Sequence, residues 1–286
     1  MGIPASIQPL KIPFSVPVAP GKALPRFAYC FLLYGHEAIW LIDAGVAGAE
    51  EAIFGAIRQA GRKPEEIELL LLTHSHPDHI GAARAVREAS GCRVAAHAAE
   101  REWIEDTGRQ ERERPVPGFT TLVGGPVKVD RLLAEGDRLS LAPGRDLLVL
   151  HTPGHSRGSL SFWLPGDRVL ISADAVPLPG DLPIYDDVAA CVRSLDRLEA
   201  LEAAVLLSAW DEPRTGGDIP RLFAEARRHL ERIHRAVLAA AGDKRTMDME
   251  VCRQVVGALG LPALAANPLV ARSFQSHLQA GGSLFS

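Results

Sequence analysis

Apolar positions along the chain recur with two different periods. Phe27 to Leu33 and Ala38 to Ile42 are short apolar runs separated by Tyr34-Gly35-His36-Glu37, which reads as a β-hairpin. The second run empties into Asp43-Ala44-Gly45, a strand end followed by a turn. From 48 to 60 the period becomes helical, with Ile53 and Ile57 on one face and Gly61 as a stop. Ile67 to Leu72 is a continuous apolar run of strand length, as expected of a strand buried on both faces. A helix from Ile80 to Ala89 and a strand from Cys92 to His97 follow.

Between Glu100 and Gly118 the periodicity breaks. The charge-dense stretch 109–114, followed by Pro115 and Pro117, reads as a solvated helix end and loop, with a lid over a site as the alternative. Strands are predicted over Asp146–His151, Ser159–Leu164 and Arg168–Ser172, the last two joined by the turn Pro165-Gly166-Asp167. A helix over 188–202 carries Val188, Val192, Leu195 and Leu198 on one face, and Val205–Ser208 is the last strand. Beyond about Pro220 only helical stripes remain: Leu222 to Val237, Val251 to Leu259, and Val270 to Leu278. The chain thus divides into an α/β domain over residues 1–219 and a helical extension over 220–286. The stripes of the extension are packing surface, part of which a second subunit of a homo-oligomer could cover.

Composition narrows the class without adding chemistry. With 286 residues, 47% of them apolar and 23% charged, the chain has the balance of a globular protein with a sizeable core. A formal charge of -4 and a pI near 6.2 supply no basic footprint, which argues against nucleic acid as a partner. Cys30, Cys92, Cys191 and Cys252 lie far apart, show no metal-ligand spacing and read as reduced small apolar residues. The first twenty residues hold too many prolines for a signal peptide, and no window approaches a membrane span. The expectation is a cytoplasmic protein with no membrane partner, acting on a small molecule.

The histidines are unevenly distributed. His74, His76 and His79 stand with Asp78 in "HSHPDH", directly after the Ile67–Leu72 run. Imidazole and carboxylate are ligands for zinc, iron or manganese, and a loop anchored by a buried strand can bring several of them to one point. His74 and His76, two apart in extended chain, project to the same side, while Asp78 and His79 follow where the chain turns into a helix. A helix cap formed by Asp78 or Ser75 would explain the acid but not the crowd of metal-capable side chains. Farther along, "TPGHS" at 152–156 places His155 in a Gly-flanked loop after a strand, and "SADA" at 172–175 places Asp174 at the end of another. Alone, each is an ordinary loop or turn residue; beside the first cluster, both become candidate ligands.

Together with Asp43 in "LIDAG", these motifs resemble the metallo-β-lactamase superfamily of metal-dependent hydrolases, in order and spacing, over about residues 27–212. The resemblance implies an α/β (α+β) fold, a four-layered αβ/βα sandwich with metals at one edge between its two mixed sheets, here with a small C-terminal helical appendage. Carried over position by position, it implies His74, His76 and His155 for a first metal, Asp78 and His79 for a second, and Asp174 as the bridge. Asp43 would orient the histidine loop from behind. His97 and His151 match no ligand position and read as structural.

The family's last histidine falls where this chain has Trp210, whose indole offers no lone pair to a metal. Asp211 as a substitute oxygen ligand, water, or a weakly filled second site are the ways left open. One or two zinc ions are expected, with iron or manganese as alternatives. The implied reaction is attack by a metal-bound hydroxide on an ester, thioester or lactone, with Asp78 orienting the hydroxide and handling its proton. A mononuclear-iron oxidoreductase of the persulfide dioxygenase type is the alternative, and a nuclease lacks the basic surface it would need. Tyr185 is a candidate donor to a substrate carbonyl, with packing as its other role.

Overall fold

Strands and helices of a computed structural model, which describes residues 2–19, 21–142, 145–182, 184–282 and 284–285, follow the two periods closely. The first sheet holds Ile7–Ala19 (β1), Lys22–Tyr34 (β2), Ile39–Ile42 (β3), Ile67–Leu71 (β4), Arg93–His97 (β5) and Arg131–Leu133 (β6), neighbours in that order. β1, β2 and β3 pair antiparallel, whereas β3 to β6 run parallel. The second sheet holds Arg138–Ala142 (β7), Arg145–His151 (β8), Leu160–Leu164 (β9), Val169–Ala173 (β10), Val205–Ser208 (β11) and Arg214–Thr215 (β12), again neighbours in sequence order. All its pairs are antiparallel except β10 with β11.

The helices are Glu50–Gln59 (α1), Pro77–Ile80 (α2), Ala83–Ser90 (α3), Arg101–Glu105 (α4), Thr107–Glu113 (α5), Phe119–Leu122 (α6), Val188–Glu199 (α7), Asp218–Ala241 (α8), Met249–Ala258 (α9) and Pro268–Ala280 (α10). None of the described helices is long and apolar enough to cross a membrane.

Alternation along single strands assigns the layers. Leu69 and Leu71 of β4 face the second sheet and share a core with Val169, Ile171, Val205 and Leu207. Leu70, on the opposite face of β4, packs outward with Leu72 against Ile53 and Ile57 of α1 and Val86 of α3. Leu170 and Leu206 pack outward from the second sheet against Leu195 of α7 and Leu222 and Phe223 of α8. Both sheets are thus apolar on two faces, and the product is the four-layered sandwich expected. Each such side chain contributes roughly 1.5–3 kcal/mol on burial. α8 is shared: its first half belongs to the outer layer, while Ile233, Val237 and Ala241 pack with α9 and α10.

Two differences from the sequence reading have clear causes. β1 lies outside the predicted strands, because Pro9, Pro13 and Pro17 interrupt its apolar pattern. Residues an even number of positions apart turn their N–H groups to the same side, so one side of this terminal strand can lack all three while the other keeps its ladder to β2. The segment 100–118 is not simply solvated. Thr107, Gln110 and Arg114 form a buried polar stripe at helical spacing, opposite exposed Glu111 and Arg112. A search for apolar periodicity passes over such a stripe.

Gly81, just after the histidine motif, is where three backbone segments meet. A Cβ there would lie 2.3 Å from Leu122 O, 2.4 Å from Val46 Cα and 2.5 Å from Ala47 N. Its N–H donates to Gly45 O at 2.7 Å, and its carbonyl accepts from Gly124 N at 2.9 Å. Gly81→Ala is therefore expected to lower stability by about 1–3 kcal/mol through overpacking. Chemical denaturation checks this, and an unchanged midpoint would mean that the three segments separate freely.

Candidate metal centre

Parallel neighbours deliver the site. Asp43 follows β3, residues 73–76 follow β4, Asp174 follows β10 and Trp210 follows β11, while His155 comes from the β8–β9 connection. Two residues at these strand ends take the left-handed conformation, Asp43 at φ 58 and Ala173 at φ 45. That conformation is strained for alanine and is held by its surroundings.

Asp43 orders the histidine loop. Its Oδ1 accepts from Thr73 N and its Oδ2 from Thr73 Oγ1, both at 2.8 Å. The same Oδ2 lies 2.8 Å from His79 Nδ1, which leaves Nε2 of that ring as its free nitrogen. Thr73 Oγ1 stands 3.0 Å from His74 Nδ1 and does the same for the neighbouring ring.

The free atoms converge. His76 Nδ1 and His155 Nε2 are 2.7 Å apart, and His155 Nε2 is 3.2 Å from Asp174 Oδ2. His74 Nε2 lies 4.0 Å from the same Oδ2. On the other side, His79 Nε2 is 3.3 Å from Asp174 Oδ1 and 3.4 Å from Asp78 Oδ2. Ligand atoms of His74, His76 and His155, and those of His74, His79 and Asp174, lie within 4.8 Å of one another in each group.

His74 Nε2, His79 Nε2, Asp78 Oδ2 and Asp174 Oδ1 are buried with no hydrogen-bond partner among the described residues. Buried polar atoms are normally satisfied, so unmet lone pairs aimed at shared points fit a metal cation. Nitrogen and carboxylate donors suit zinc, iron or manganese.

Electrostatics divide the centre in two. Burial holds His74, His76 and His155 below the ordinary imidazole range, so all three present neutral rings. At His79 burial acts in the same direction but is outweighed by Asp174, Asp78 and Asp43, and its pKa rises well above that range. Burial works against the charge on Asp174, yet His79 and His155 hold its carboxyl well below the usual carboxylate range. This half of the centre therefore demands positive charge, which a divalent cation also satisfies.

Other expected residues are engaged elsewhere. Trp210 turns its indole N–H to Asp174 Oδ2 at 3.1 Å, so the position of the family's last histidine carries a donor to the shared carboxylate. The carboxylate of Asp211, the expected substitute ligand, is engaged by Arg214 Nε at 2.6 Å and accepts from Glu212 N at 3.0 Å. The Tyr185 hydroxyl, the expected donor to a substrate, lies buried 2.7 Å from His277 Nε2. His97 and His151 stack on each other, with ring centroids 4.4 Å apart.

Three residues were not legible as part of the site. Glu100, 3% exposed, accepts from Ser75 N at 3.0 Å and Ser75 Oγ at 2.5 Å, from Ser156 Oγ at 2.8 Å and from Gly158 N at 2.6 Å. One carboxylate thereby ties the His74–His76 loop to the His155 loop. Gln110 Nε2 donates to Ser75 O from below, and Arg114 lines the cavity over the centre. The one available signal was that Glu100 follows β5, a parallel neighbour of β4, and so stands at the same sheet edge.

That cavity encloses about 1140 Å³ and has His76, Asp78, His155 and Asp174 in its wall. The β1–β2 hairpin, residues 113–117 and the segment 261–272 supply most of the remaining wall, which is largely aliphatic.

Replacing Glu100 by Gln keeps the shape but turns an amide N–H toward groups that already donate. The expected loss is about 1–3 kcal/mol of stability, with metal affinity weakened about 10- to 100-fold. Denaturation and competitive metal titration measure the two effects, and unchanged metal affinity would show that Glu100 does not position the ligands.

Comparison with known proteins identifies the family. Residues 23–210 match the pattern of the metallo-beta-lactamase superfamily. An acyl-coenzyme A thioesterase of Gallus gallus, MBLAC2, is 35% identical over 198 residues, covering 61% of this chain and 67% of the relative. A hydroxyacylglutathione hydrolase of Rhizobium meliloti is 28% identical over 168 residues, covering 58% and 56%. The structure of a metallo-beta-lactamase family protein from Thermus thermophilus superposes with a TM-score of 0.75 over 98% of this chain and 97% of that one, at 23% identity, which speaks to the fold. The chain belongs to the metallo-beta-lactamase superfamily.

Proposed function

We propose that this superfamily hydrolase cleaves a small acyl ester, thioester or lactone. The observation that carries the reading is the position of the metal-competent atoms in the wall of a deep, largely apolar cavity of about 1140 Å³, large enough for an acyl chain beyond the scissile carbonyl. The thioesterase named among its relatives supports the same class.

His74, His76 and His155 would hold one metal ion, and Asp78, His79 and Asp174 would hold a second, with Asp174 shared. A metal bound there supplies Lewis acidity to the carbonyl oxygen and lowers the pKa of water from 15.7 toward about 7. Asp78, whose Oδ2 is free of hydrogen bonds, orients the attacking water and takes its proton. Trp210 N–H steadies the shared carboxylate, and the segment 261–272 of the helical extension walls the cavity and keeps water from the acyl group.

Trp210 favours unequal metal sites, and it also keeps the mononuclear-iron dioxygenase in view as a second reading. Protein purified without a chelating column is expected to retain one zinc ion per chain through dialysis and to lose a second. Asp78→Ala and His76→Ala should each lower kcat/KM on acyl thioesters by about 10²- to 10⁴-fold, as loss of a positioned proton acceptor or of a ligand would. Activity surviving in both variants refutes the site. Iron in the protein and oxygen uptake with glutathione persulfide, without acyl turnover, replaces the hydrolase by the dioxygenase.

A further inference from the structure

Arg114 is 6% exposed, yet its guanidinium has no hydrogen bond or ion pair among the described residues. It stands just past α5 in the wall of the cavity, together with His76 and Asp78. A buried guanidinium is heavily desolvated and calls for an anionic partner.

The other charges around the cavity are already matched. Arg26 pairs with Asp181 at 3.2 Å, and Arg272 with Asp186 at 2.9 Å. Glu113 is held by Arg109 at 2.7 Å and by the Trp103 indole N–H at 2.8 Å. His229 is lowered by burial and presents a neutral ring. Asp78 and Asp174 belong to the metal centre. Arg114 alone among these cations has no direct ion-pair partner among the described residues; Asp186, Asp78 and Glu100 act on its charge from beyond that distance, and the walls around it are largely apolar. Two of the large apolar side chains most exposed to solvent, Leu24 at 43% and Leu264 at 61%, stand on this same cavity.

We propose that Arg114 receives a single carboxylate of the substrate, so that the substrate is an acyl ester or thioester with one carboxylate a few bonds from the scissile carbonyl and an apolar chain beyond. The inference rests on the hydrolase reading above and adds the substrate class to it. The planar guanidinium matches a carboxylate with two parallel hydrogen bonds. A single guanidinium without a direct partner, and no second free cation beside it among the described residues lining the cavity, suits a monoanion better than a phosphate dianion. Arg114 is thus a positioning and specificity residue, fixing where the carbonyl lies relative to the metal ligands.

Matched probes test it. S-hexanoyl-thioglycolate and its uncharged amide are compared as substrates of the wild type, R114Q and R114K. The non-cleavable thioether S-hexyl-thioglycolate and its amide are compared for binding by calorimetry. The wild type is expected to prefer the charged thioester by at least about 10-fold in kcat/KM. Arg114→Gln should lower that value by about 10- to 100-fold, mainly through KM, and change the amide by less than about 3-fold. Thioether binding should weaken in parallel, and Arg114→Lys should restore part of it. Because no internal bond of the guanidinium is lost, the thermal midpoint of R114Q should not fall.

Equal losses on charged and neutral thioesters, absence of preference for the charged one, or a marked fall in the midpoint overturn the proposal. If neither thioester is turned over but thioether binding depends on Arg114, the hydrolase reading fails and the carboxylate site stands. Thioether binding indifferent to R114Q overturns the carboxylate site whatever the turnover.

Discussion

The two loops of the candidate metal centre are tied together by the buried carboxylate of Glu100. Four hydrogen bonds, two from Ser75, one from Ser156 and one from Gly158, join loops that lie far apart in sequence. Imidazole rings gathered with their lone pairs facing one another lose water and repel, so something other than their mutual attraction must hold them. Glu100 holds one side and Asp43 the other, through Thr73 and His79. An anion that accepts several N–H and O–H bonds in a dry interior is bound strongly enough to fix both loops.

From this bracing follows the division of the site. His74, His76 and His155 are neutral and close together, whereas His79 sits among Asp43, Asp78 and Asp174. Trp210 adds a hydrogen-bond donor, where a further lone pair would strengthen the acidic half. The two halves share Asp174 through different oxygens, so any change in charge on one side is felt on the other. Outside the centre, the apolar cavity wall raises the worth of each remaining charge by lowering the local dielectric.

How much of this is legible along the chain depends on range. The six residues from His74 to His79 crowd their chemistry into one strand end, and the continuous apolar run of β4 announces a strand covered on both faces. Glu100 looked like one acid among many, since its partners are 25 to 58 residues away. Gln110 and Arg114 fell in a stretch whose charge suggested solvent, and only the packing of α5 under the histidine loop turned their face inward. β1 was hidden by its prolines, which are tolerated because a terminal strand needs a ladder on one side alone.

The sequence by itself therefore determined the fold class, the burial of β4 on both faces and the identity of the side chains able to bind a metal. These are properties of residue type and local period, which the chain carries wherever it goes. Tertiary structure decided which ring nitrogen each histidine leaves free, that Asp211 is taken by Arg214 and Tyr185 by His277, and that Arg114 stands buried with no direct partner among the described residues. The physical reason is that a hydrogen bond or an ion pair is a matter of ångströms between groups remote in sequence, and only the folded chain sets those distances.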